Sequence, residues 1–161
     1  MQLIKAPSDF LKTKMDAFDF ESNDAPKIAE EMINDMIKFN GVGLAANQVG
    51  FNGRIFVMKP KSGKPYAVIN PTIEGVSATS KLDVEGCLSF PNLFLYVNRP
   101  DKVDVNFLDI EGKNVTMLLE DLEARIFLHE FDHLEGITFD TRVSKFKLQM
   151  AKERQRKLEN K

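Results

Sequence analysis

The chain has no tryptophan, two tyrosines, two histidines and a single cysteine among its 161 residues. One cysteine, Cys87, excludes an internal disulfide and suits a reducing compartment. Aromatic packing falls instead to thirteen phenylalanines. No run of about 18 apolar residues is present, so no membrane span is expected. Met1 to Pro7 lacks the apolar stretch of a secretory leader. The next thirty residues are too acidic for an organellar transit peptide, so the expected location is the cytosol. No repeat, linker or low-complexity segment interrupts the chain. Its length, with 43% hydrophobic and 29% charged residues, suits one globular domain, residues 1–161.

The net charge of −2 is unevenly spread. Lys145 to Lys161 holds seven basic residues against Glu153 and Glu159, a net of +5, and the other 144 residues carry −7. A basic tail on an acidic body suits either a polyanionic partner for the tail or a solvated helix face.

The first 22 residues read as irregular, anchored by Leu3, Ile4, Phe10 and Leu11. Asn23 or Asp24 can cap a helix with Pro26 in its first turn. Ile28, Met32 and Met36, with Ala29, Ile33 and Ile37, form its apolar stripe, and Gly41 ends it. Strands are expected at Arg54–Met58, Tyr66–Asn70, Leu93–Val97, Lys102–Leu108 and Asn114–Leu119. One long bent strand, interrupted near Gly75, is expected over Thr72–Val84. Glu120 to about Leu134 reads as a helix buried through Leu122, Ile126 and Phe127 and stopped by Gly136. Ser144 caps a last helix from Lys145 to about Leu158. The order predicts an α+β domain with antiparallel sheets around a buried central helix, an N-terminal helix and a basic C-terminal one.

That central helix contains His129-Glu130-Phe131-Asp132-His133, an H-E-x-x-H pattern holding both histidines. Four residues apart on a helix, the two imidazoles face one point and can clamp a divalent metal, with the adjacent Glu placed to move a proton. A catalytic site of this kind usually needs a third protein ligand. Glu153 lies at the spacing of thermolysin-like peptidases, but in a basic, highly charged segment. The metzincin pattern fails, because Phe139 stands where its last histidine belongs. Cys87, in Glu85-Gly86-Cys87-Leu88-Ser89, is the other candidate, since a thiolate is a strong ligand for zinc or ferrous iron. A generic metallopeptidase using Glu153 and a structural zinc module remain alternatives. Glu130, with no ligand role at its spacing, argues against the module.

Gly41-Val42-Gly43-Leu44-Ala45-Ala46-Asn47-Gln48, Glu85-Gly86-Cys87-Leu88-Ser89 and His129-Glu130-Phe131-Asp132-His133 resemble, in order and spacing, the three signature motifs of peptide deformylase. The resemblance spans about residues 24–144. It implies hydrolysis of the formyl group from the N-terminal formylmethionine of new polypeptides, releasing formate. It implies Cys87, His129 and His133 as metal ligands and Glu130 as general acid/base. Gln48 and the Leu88 amide would hold the oxyanion, while backbone near Val42, Gly43 and Gly86 aligns the peptide. Glu85 and Arg99 match the family's supporting ion pair. The implied cofactor is one divalent ion, Fe2+ first, with Zn2+, Ni2+ or Co2+ as substitutes. Formylmethionyl nascent chains in a bacterial-type cytosol are the implied partners, with the ribosome for the basic tail; no DNA partner is expected. Phe94 departs from the family, many bacterial members of which carry an arginine near this position lining the methionine pocket, so the departure bears on the shape of that pocket and not on the chemistry.

Overall fold

The computed structural model describes residues 1–161. Helix α1 spans Ala25–Lys38, capped by the Asp24 carboxylate, which accepts from Lys27 N at 3.1 Å. Strand β1 (Gly43–Ala45) leads into a short 3-10 turn at Ala46–Gln48, followed by β2 (Ile55–Met58) and β3 (Tyr66–Val76). A hairpin of β4 (Ser80–Cys87) and β5 (Phe90–Pro100) follows, then β6 (Lys102–Leu108) and β7 (Asn114–Glu120). Helices α2 (Asp121–Leu134) and α3 (Lys145–Glu159) complete the chain. Five strands form an antiparallel sheet in the order β1-β2-β3-β6-β7, while β4 and β5 form a separate two-stranded sheet. The expected α+β class and its helices are observed.

Strand alternation explains the core. In β2 all four residues are buried, because both faces of the sheet are covered. Ile55 and Val57 join Met32, Met36 and Ala29 of α1, whereas Phe56 and Met58 join Ala124, Phe127 and Leu128 of α2. A third cluster packs Leu93, Leu95 and Val97 of β5 against Phe139 and Ala151, the latter on α3. Met15 and Phe18 are buried anchors of the irregular start. No apolar pattern singles them out in sequence.

Several expectations need correction. The long strand over Thr72–Val84 is two strands belonging to different sheets. The break lies at Ser77–Thr79, whose hydroxyls both donate to Asp101 Oδ1, at 2.6 and 2.7 Å, and carry the chain from one sheet to the other. The sheet is only shifted in register near Gly75. At the end of α1 the left-handed residue is Asn40 (φ 59°), not Gly41. Gly41 instead allows close packing, since a Cβ there would lie 2.6 Å from Leu88 Cδ1. Ile37 and Leu122 are 53% and 51% exposed rather than packed in the core, and Leu122 lines a cleft. On α3, Leu148 and Ala151 face the body while Phe146 is 70% exposed.

Candidate metal centre and cleft

Three motifs distant in sequence meet where α2, the β4–β5 hairpin and the segment after α1 come together. Cys87 ends β4, just before the Leu88-Ser89 turn. The two histidines lie one turn apart on α2, with ring centroids 5.1 Å apart. Cys87 Sγ lies 3.3 Å from His133 Nε2, and one ligand atom each from Cys87, His129 and His133 fall within 4.8 Å of one another. A tetrahedral ion with a thiolate at about 2.3 Å and an imidazole at about 2.0–2.1 Å would set those two donors about 3.5 Å apart. The donor set therefore fits such an ion in both chemistry and spacing. Glu153 is exposed on α3 and outside this group, so the Glu153 metallopeptidase is not supported.

Glu130 is 2% exposed, and its Oε2 has no hydrogen-bond partner. Burial raises its pKa to about 7. The backbone of Gly43 passes directly over it, so that a Cβ at Gly43 would stand 2.9 Å from its Cγ and Cδ. Gly43→Ala must therefore displace the carboxylate, and turnover is expected to fall on the order of 10–100-fold with the fold intact. Steady-state kinetics with circular dichroism checks this. Gln48 is held at both ends of its amide. Its Oε1 accepts from Ala45 N at 2.9 Å, and its Nε2 donates to Ser89 Oγ at 3.1 Å and faces Cys87 Sγ at 3.5 Å. A cleft of about 530 Å³ opens over these groups, lined by Val42, Gly43, Gly86, Leu88 and Phe94 among others. Phe94, 54% exposed, lies against Gly86, where a Cβ would come within 3.1 Å of the ring.

Beneath the centre runs a buried ionic chain. Arg99 grips both oxygens of Glu85, at 2.6 and 2.9 Å, and reaches Asp132 Oδ2 at 2.9 Å. Glu85 Oε1 meets His129 Nδ1 at 2.8 Å, which leaves the other ring nitrogen for the centre. Arg142 closes the chain on Asp132 at 2.7 and 3.0 Å. Burial alone would raise Glu85, but the bonds from His129 and Arg99 outweigh it and hold the carboxylate at about 2. Burial opposes a charged His129, whereas its bonds to Cys87 and Glu85 raise its pKa; a bound ion would take the place of the proton on its other ring nitrogen. Burial and the charge of His129 push His133 well down.

The Glu85–Arg99 pair is where the resemblance put it. Asp132, Arg125 and Arg142 were missed, although Asp132 sits inside the H-E-x-x-H motif and Arg125 lies four residues before His129, on the same helix face. Glu85→Gln leaves buried arginines without their carboxylate, and the expected loss of stability is about 3–5 kcal/mol. Because Glu85 is lowered from 4.5 to about 2, its contribution is complete above about pH 4.5 and disappears as the pH falls towards 2. Chemical denaturation across that window should show a flatter acid limb in the variant.

The match to known proteins agrees with this arrangement. Residues 1–149 fit the sequence model of the polypeptide deformylase family. The chain belongs to the peptide deformylase family. It is 44% identical over 118 residues to the peptide deformylase of Thermotoga petrophila, covering 73% of this chain and 71% of that protein. It is 34% identical to the chloroplastic peptide deformylase 1B of Oryza sativa subsp. japonica, across this whole chain but only 61% of that protein. The chain thus spans about three fifths of the rice relative's length. The crystal structure of Arabidopsis thaliana peptide deformylase 1B with an inhibitor superposes with a TM-score of 0.88 at 35% identity, covering 99% of this chain and 91% of that one. No helix here is long and apolar enough to cross a membrane.

Proposed function

We propose that this chain hydrolyses the formamide of N-terminal formylmethionine on newly made polypeptides, releasing formate and a free amine. The observation that carries the reading is the convergence of Cys87, His129 and His133 beside a buried carboxylate, Glu130, at the floor of an open cleft. Cys87, His129 and His133 would hold one divalent ion. We take this ion to be ferrous iron, with Zn2+, Ni2+ or Co2+ able to replace it. When bound, it lowers the pKa of water and draws charge from a carbonyl oxygen.

The remaining steps belong to the protein. Glu130 takes a proton from the attacking water and returns it to the departing amine, a role suited to a carboxyl that burial makes more basic than usual. Gln48 Nε2, fixed by the Ala45 and Ser89 bonds, and the Leu88 amide donate to the oxyanion. Backbone at Val42, Gly43 and Gly86, all on the cleft wall, aligns the peptide, with Gly43 allowing it close to Glu130. Incubation with formyl-Met and acetyl-Met tripeptides tests the reading. It expects a free amine from the formyl peptide alone, and equal inertness towards both would overturn it.

We further propose that α3 docks on ribosomal RNA in a bacterial-type cytosol. Lys145, Lys152 and Arg156 line one side of α3, which supports an anionic partner. Because Leu148 and Ala151 pack on the body, deleting the helix would also cost stability, so charge reversal is the cleaner test. Lys145→Glu with Lys152→Glu and Arg156→Glu should reduce ribosome co-sedimentation at low salt and leave tripeptide turnover unchanged.

A further inference from the structure

The three candidate ligands stand on two bodies that share no strand pairing. Cys87 belongs to the β4–β5 hairpin, while both histidines belong to α2, which packs on the larger sheet. A metal centre tolerates errors of only a few tenths of an ångström, so something must fix hairpin to helix. We infer that Arg125 is that positioning residue. It rises from α2 one turn before His129 and is buried. Its guanidinium reaches both hairpin strands, with Nη1 donating to Val97 O of β5 at 2.8 Å and Nη2 to Lys81 O of β4 at 2.7 Å. Nη1 also meets Glu85 Oε2 at 2.7 Å, on the carboxylate whose other oxygen holds His129 Nδ1.

One planar group thus ties the two hairpin strands, the helix and the carboxylate that orients a histidine. Arg99 makes the reciprocal tie, from β5 to Asp132 of α2. Lysine cannot replace this fork, because a single ammonium on a flexible stem does not span three fixed acceptors on two strands. Arg125 does not line the cleft, so it acts through Cys87 and His129 and not on the substrate. The inference rests on the reading of Cys87, His129 and His133 as ligands.

The test uses full-length protein titrated with Co2+ in competition with a chelator. Arg125→Lys and Arg125→Ala are compared with wild type and with Val105→Ala, a core truncation in β6. In wild type a thiolate-to-cobalt absorption band reports Cys87. Both Arg125 variants are expected to bind Co2+ about 10–100-fold more weakly, with that band shifted or lost. They are also expected to lower kcat with little change in KM for a formyl peptide. Val105→Ala should lower the melting temperature and leave affinity and band unchanged. Arg125→Lys, the milder change, serves if Arg125→Ala does not fold. Wild-type affinity and band in Arg125→Lys would overturn the inference, as would equal weakening in Val105→Ala. Absence of the thiolate band in wild type itself would instead overturn the ligand reading on which the inference stands.

Discussion

Cys87→Ser is expected to lose its metal and, with it, turnover. Cys87 is the only member of the candidate donor set that would bind an ion as an anion, and its Sγ stands 3.3 Å from His133 Nε2. A serine hydroxyl stays protonated at neutral pH and is a poor ligand for Zn2+ or Fe2+. Removing a direct ligand should exceed the roughly 10–100-fold loss of affinity typical of changes to the residues that support ligands. Glu153→Ala is the matched control, because Glu153 lies on the exposed side of α3, and it should keep both metal and activity. Metal content by mass spectrometry and turnover of the two variants separate the deformylase from a peptidase with Glu153 as ligand. Undiminished metal in Cys87→Ser would sink the assignment.

Glu130→Gln is expected to keep the metal and lose at least about a hundredfold in kcat, the usual scale for a positioned acid/base. Glutamine preserves the shape packed under Gly43, so the cleft should not collapse. It removes the one side chain there that burial brings to a pKa of about 7. The effect should therefore fall on kcat, with KM for a formyl peptide little changed. Near-normal kcat with metal bound would refute the proton-transfer role.

The α+β order and strands β2, β3, β5, β6 and β7 were legible in the sequence, because alternation in Val103, Val105 and Phe107 and the i, i+4 stripe of α1 come from burial on one face, whereas the short β1 and a separate β4 were not. The break at Ser77–Thr79 was not legible, since it depends on hydroxyl bonds to Asp101, more than twenty residues away. Leu122 misled for a related reason. Its apolar side chain fits a buried helix, yet it faces the cleft. Of the site, the histidine spacing could be read from helix geometry alone. Thiolate chemistry made Cys87 one of two candidate third ligands, but choosing it, and naming Gln48 and Gly43 at all, needed the family resemblance, because nothing local says that three segments so far apart will meet. Arg125, Asp132 and Arg142 escaped both readings. A charged residue in a helix reads as solvent-exposed until its partners on another element are known.

The most direct measurement is formate release from a formyl-Met tripeptide by protein purified without oxygen, stripped by chelation and titrated with Fe2+ or Co2+. The stripped protein is expected to be inactive, and turnover to rise linearly with added ion to a plateau at one ion per chain, with no cleavage of the peptide bonds. Formate release indifferent to chelation, or internal peptide-bond cleavage without formate, would contradict it.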